Sequence, residues 1–196
     1  MNAPRAIVLL HGFGSNPEDL MPLARHLGVA SGLPVSTPEG PLSVGSGRAW
    51  FPLDGVTEAN RSERIVEAMS ATLGLVHAAI PAGTMLRDVV IGGFSQGAIM
   101  ALSALAAGHE FAGILAFSGR LAAAPIGPLR STPVVLAHGK EDRVIPAAEA
   151  RRTANWLTSA GLRPDLVIEV GLGHAVGPTG FEAASRILER SSRVSS

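Results

Sequence analysis

Three residues far apart in the chain have the types needed to activate a hydroxyl nucleophile: Ser95, Asp142 and His174. A serine hydroxyl attacks a carbonyl well only when a base takes its proton, and an imidazole base works best when a carboxylate orients it. Ser95 stands in Gly93-Phe94-Ser95-Gln96-Gly97, a G-x-S-x-G pentapeptide. That pattern makes a nucleophile elbow when a strand precedes it and a helix follows. Here Val89-Val90-Ile91-Gly92 reads as a buried parallel strand. From Gln96 onward, Ile99, Met100, Leu102, Ser103 and Leu105 recur at helical spacing. The pentapeptide alone decides little. A chain with 23 glycines in 196 residues is expected to hold about 0.2 such matches by chance. A Gly-rich turn whose serine merely caps a helix would also look the same.

The partners of Ser95 carry more weight. In hydrolases with an elbow serine the chain order is serine, then acid, then histidine. Of the six histidines, His11, His26 and His77 precede Ser95, while His109 follows directly on the elbow helix and His138 precedes the best acid. His174 alone follows Asp142, in the tight segment Gly171-Leu172-Gly173-His174. Asp142 lies just beyond the apolar run Val134–Ala137, whereas Asp165 opens a strand at the far edge and Glu141 diverges from its neighbour. The predicted catalytic set is therefore Ser95, Asp142 and His174. An oxyanion needs two N–H donors. The residue after the nucleophile, Gln96, supplies one, and the loop after the first strand, at Phe13 between Gly12 and Gly14, supplies the other. His11 reads as a strand-end residue bracing that loop.

These residues require an architecture that brings four loops to one edge. Strands are expected at Ala6–Leu10, Leu33–Ser36, Val89–Ile91, Gly113–Phe117, Val134–Ala137 and Leu166–Val170, alternating with helical stretches. Asn16-Pro17-Glu18-Asp19 and Asn60 with Glu63 mark two helix starts, and Ala147–Ser159 and Gly180–Arg190 are further helices. Strand and helix in alternation predict a mostly parallel sheet with helices on both faces. In such sheets the chemistry gathers beyond the carboxyl ends of the strands, where all four polar clusters fall. With no linker, residues 1–196 form one α/β domain.

The stretches VLLHGFG, GRAWFPLDG, IGGFSQGAIMAL, GILAFSGRL, VVLAHGKEDRVIP and VGLGHAV resemble, in order, the landmarks of the small carboxylesterase, lysophospholipase and acyl-protein thioesterase family of α/β-hydrolases. The resemblance covers nearly the whole chain from Ile7. It implies a single α/β-hydrolase domain without a large lid, with Ser95, Asp142 and His174 as triad and Phe13 and Gln96 at the oxyanion site. Three departures stand out. Ser15 occupies a position where members often carry an acid, Pro52-Leu53-Asp54 intervenes after Trp50-Phe51, and members usually have a longer N-terminal extension.

Trp50 and Phe51 sit within the Gly- and Pro-rich stretch Pro38–Val56. Long loops in compact domains are often functional. Both residues are expected to line an acyl or alcohol pocket, with packing of the loop as the alternative. Ser118 ends a strand without an elbow and reads as structural.

The composition narrows the function further. Sixteen basic and sixteen acidic residues cancel, and the longest basic run is Arg151-Arg152, so nucleic acid is not an expected partner. Without cysteine there is no disulfide or thiolate chemistry. The histidines lack metal-ligand spacing, so neither a metal nor another cofactor is expected. Met1–Leu10 has the pattern of neither a signal peptide nor a membrane span, which makes the cytoplasm the default location. The first strand runs into His11-Gly12-Phe13-Gly14 without the G-x-G-x-x-G of a nucleotide-binding loop. The predicted activity is hydrolysis of small carboxylic esters of short to medium acyl chain. Thioesters of acylated proteins and lysophospholipids are the alternatives within that chemistry, and a catalytically idle fold used for binding is the alternative outside it. A homodimer is the assembly expected if the chain self-associates.

Overall fold

The computed structural model describes residues 3–193. Its centre is a six-stranded parallel sheet in the order β2-β1-β5-β6-β7-β8. The strands are β1 (Ala6–Leu10), β2 (Val35–Ser36), β5 (Val89–Phe94), β6 (Gly113–Phe117), β7 (Val134–Gly139) and β8 (Asp165–Glu169). β1, β6 and β7 are buried along their whole length. Unbroken apolar runs are what a strand covered on both faces requires. The edge strands β2 and β8 are only partly buried and mix in polar residues.

Period-2 alternation divides the core in two. Ile7 and Leu9 pack with Leu27 of α1 (Met21–Ser31) and with Ala183, Ala184 and Ile187 of α5 (Pro178–Arg193). Val8 and Leu10 face the other way, toward Ile65 and Met69 of α2 (Arg61–Ala79), Met100 of α3 (Gln96–Ala106) and Leu157 of α4 (Ala147–Ser159). This is the parallel sheet with helices on both faces that the sequence pattern implies, and it fits the α/β-hydrolase fold that the resemblance implies.

The stretch Pro38–Val56, expected as a loop, contains an antiparallel hairpin of β3 (Leu42–Val44) and β4 (Gly47–Ala49). It is stitched to the loop after β1 by Gly14 N–H to Arg48 O (2.8 Å) and Arg48 N–H to Ser15 O (2.9 Å). A Cβ on Gly47 would lie 2.1 Å from Gly14 O, so this seam closes only around a glycine.

From β1 the chain leads outward to β2, whereas from β5 it leads the opposite way to β6. The crevice between β1 and β5 is thus the topological switch point, where sites form in open α/β sheets. The His11–Gly14 loop and Ser95 both border it.

Candidate active site

The elbow is built by close packing of α3 onto the sheet. A Cβ on Gly93 would lie 2.4 Å from Leu10 O, and one on Gly97 would lie 2.0 Å from the same oxygen. Only glycine at both positions lets the strand turn into the helix against β1. Ser95, at the apex, has φ 52° and ψ −115°, strained for a residue with a side chain. Its N–H is anchored on Phe117 O at 2.9 Å. Its hydroxyl makes no capping bond to α3, so the capping alternative does not describe this serine.

The structure brings Ser95, His174 and Asp142 into one line. Ser95 Oγ lies 3.0 Å from His174 Nε2, and His174 Nδ1 lies 2.7 Å from Asp142 Oδ2. The other carboxylate oxygen, Oδ1, accepts from the N–H groups of Val144 (2.8 Å) and Ile145 (2.9 Å). Burial pushes the Asp142 carboxyl up, but the hydrogen bonds from His174, Ile145 and Val144 outweigh it and hold the group below its ordinary value. The carboxylate therefore stays ionised beside the His174 imidazole. Phe94 packs against the His174 ring at a centroid distance of 4.8 Å. Ser118, read as structural, donates to Ala175 O at 3.1 Å and so braces the histidine's loop.

Phe13 lies in the loop after β1 and Gln96 is the first residue of α3. Among the described residues, neither N–H is taken up by a protein acceptor. The first N–H groups of a helix have no intrahelical partner and carry its positive end.

Trp50 and Phe51, expected at the pocket or packing the loop, follow β4 directly. Both are 1% exposed, within the core rather than on an open wall. Trp50 Nε1–H donates to His11 O (2.9 Å), while Trp50 N–H donates to the Gln96 side chain (2.8 Å). Gln96 Nε2–H in turn donates to Phe51 O (2.6 Å). A buried indole needs a partner for its N–H, and here the ring is covered by the core while the N–H is held by His11 O. These bonds tie the Trp50-Phe51 backbone to Gln96 and the indole to His11.

Three site features escaped the sequence reading. The Gln96 side chain, 2% exposed, clamps the Trp50-Phe51 backbone to the elbow helix. His11 accepts from Gly40 N–H at Nε2 (2.9 Å) and donates from Nδ1 to Gly12 O (2.8 Å), which fixes it as the neutral Nδ1–H tautomer. Burial lowers its pKa below the usual histidine value, with the Gly12 contact partly offsetting this. Third, His138, set aside on chain order, is buried beside Asp142, its Nε2 3.2 Å from Oδ2. Its place directly before the acid's loop was the one signal available.

Among the described residues no three His, Asp or Glu side chains converge as a metal site. No helix among them is long and apolar enough to cross a membrane.

A parallel sheet with a strained serine at its switch point defines an α/β-hydrolase, and comparison with known proteins narrows the class. The phospholipase/carboxylesterase family profile matches residues 2–192. Esterase YpfH of Escherichia coli (strain K12) is 34% identical over 194 residues, covering 93% of this chain and 81% of the relative. Acyl-protein thioesterase 1 of Gibberella zeae is 27% identical over 172 residues, covering 78% and 73%. The crystal structure of esterase PE8 superimposes with a TM-score of 0.82 at 29% identity, covering 96% of this chain and 93% of the other. The chain belongs to the phospholipase/carboxylesterase family and is a carboxylic ester hydrolase.

Proposed function

We propose that the protein hydrolyses carboxylic esters of short to medium acyl chain through an acyl-enzyme on Ser95. The observation that carries this reading is the hydrogen-bonded line from Asp142 through His174 to Ser95, at 2.7 and 3.0 Å. His174 Nε2 takes the hydroxyl proton as Ser95 Oγ attacks the ester carbonyl, and Asp142 stabilises the resulting imidazolium. The N–H groups of Phe13 and Gln96 receive the oxyanion. Collapse of the tetrahedral intermediate expels the alcohol, which takes the proton from His174. Water then attacks the acyl-enzyme, with His174 again as base, and frees the acid and Ser95. The initial activation requires neutral His174, so activity rises with pH as the base loses its proton.

The acyl preference rests on exposed apolar side chains at the active edge: Phe13 after β1, Leu53 after the Trp-Phe pair, and Val144 beside the acid. Three apolar side chains offer only a small surface, which suits short and medium chains. Each methylene covered should add about 0.8 kcal/mol, about fourfold in kcat/KM, until the surface is used up. The named thioesterase relative supports thioesters of acylated proteins as a second substrate class for the same machinery.

A fluorophosphonate probe followed by peptide mass mapping tests the nucleophile. Labelling confined to Ser95 is expected, and an active protein that resists the probe, or carries it elsewhere, would overturn the reading. Esters and thioesters of graded length test the substrate class, and a kcat/KM still rising at long-chain acyl groups would refute the short-to-medium preference.

A further inference from the structure

His138 lies in β7 and is 2% exposed, in contact with the acid of the catalytic line yet outside it. Its Nε2 is 2.7 Å from Ile145 O and 3.2 Å from Asp142 Oδ2. A carbonyl oxygen carries no proton, so the proton between His138 and Ile145 belongs to Nε2, and the ring is a donor there. The same N–H edge, the positive side of the imidazole, therefore faces the carboxylate oxygen that holds His174.

The contact to Ile145 has a second consequence. Residues 140–145 leave β7 and return so that the N–H groups of Val144 and Ile145 both bind Asp142 Oδ1. The anchor on Ile145 O ties the far end of this loop back to the strand from which it departs. One buried side chain thus closes the cradle around Oδ1 and borders Oδ2. Glu141, the neighbouring carboxylate, turns away and accepts from Gly171 N–H at 2.8 Å. Glu169 turns toward Thr179.

We propose that His138 is a positioning residue for the hydrolytic reaction: by donating from Nε2 it fixes the 140–145 loop and the orientation of Asp142, and through Asp142 that of His174. The inference rests on the triad reading above. A carboxylate free to rotate would still be ionised but would hold the imidazole in the productive direction only part of the time. Misplacement on this scale costs rate rather than affinity.

The test compares His138→Phe, which keeps a ring but has no donor, with His138→Gln, whose amide N–H reaches to about the place of Nε2. In His138→Phe, kcat on a short ester should fall about 10- to 100-fold with KM within about threefold of wild type. The far-downfield proton resonance of the His174–Asp142 hydrogen bond should shift or broaden, and His138→Gln should restore both readouts. A folded His138→Phe with wild-type kcat and an unmoved resonance would overturn the proposal, as would failure of a folded Gln variant to recover activity. If the Phe variant does not fold, Asn replaces it. Its amide is one bond shorter, so kcat should fall in Asn but not in Gln, and equal rates in the two would refute the role. Failure of the triad reading itself would show separately, as activity retained in Ser95→Ala.

Discussion

Trp50→Phe distinguishes a residue that shapes the active site from within from one that touches substrate. The substitution keeps a ring in the core but removes the indole N–H that donates to His11 O, 2.9 Å away. His11 is 0% exposed, so its carbonyl is shut off from bulk solvent when the donor is lost. A buried carbonyl left without its partner costs about 1–3 kcal/mol, and the smaller ring leaves a void worth about another 1 kcal/mol. The total of roughly 2–4 kcal/mol is a large share of a typical stability of about 5–15 kcal/mol, yet leaves the protein folded at 25 °C. For a chain of this size the melting temperature should fall by roughly 5–15 °C. Activity should fall about two- to tenfold, because His11 leads into the loop of Phe13 and Trp50 N–H is held by Gln96. The assay is kcat/KM on acetyl, butyryl and octanoyl esters of one alcohol, alongside thermal unfolding. The fractional loss should be equal across the three within about twofold. If the acetyl ester is spared while the octanoyl ester loses more than about fivefold, Trp50 lines the acyl site and this account of the loop is wrong.

Gln96→Glu keeps the acceptor for Trp50 N–H but sets a carboxylate against Phe51 O, where the amide donates at 2.6 Å. It should destabilise by about 1–3 kcal/mol at neutral pH and recover as pH falls and the carboxyl gains a proton to donate. A loss independent of pH in denaturant titrations would contradict that. Gly97→Ala places a Cβ 2.0 Å from Leu10 O, and should cost more than about 3 kcal/mol or abolish soluble expression. A melting temperature within about 2 °C of wild type would show that α3 can lift off β1 freely. Asp142 has a carboxyl held below its ordinary 3.8, so its ionised form stabilises the fold above that value and loses this contribution as pH falls through the lower folded value. The stability gap between wild type and Asp142→Asn should shrink as pH falls below about 4, where the carboxylate takes up its proton. A gap that widens between about pH 4 and pH 2 would reverse the assigned sign.

Much of this arrangement is legible in the sequence because the sheet is buried on both sides. β1, β6 and β7 read as apolar runs with no competing pattern, and α4 begins and ends where its sequence says, at Ala147 and Ser159. Chain order then separates Asp142 and His174 from their rivals, since loops beyond the carboxyl ends of parallel strands share one edge. The hairpin β3–β4 is hidden because strands of three residues are too short to display a period. The burial of Trp50 and Phe51 is hidden for another reason. Their place in the chain puts them near the site, but the direction of their side chains depends on Gln96 and His11, partners 46 and 39 residues away. His138 is obscured by the same order rule that finds His174. That rule looks for a histidine after the acid and says nothing of one packed beside it.

The proposed mechanism depends above all on Ser95 as the attacking group. Its most direct test is the turnover of a short ester by purified Ser95→Ala beside wild type, with equal folding shown by thermal unfolding. Removal of the hydroxyl should lower kcat by at least about a thousandfold with little change in melting temperature. A folded Ser95→Ala enzyme that keeps more than about a tenth of the wild-type kcat would contradict the account.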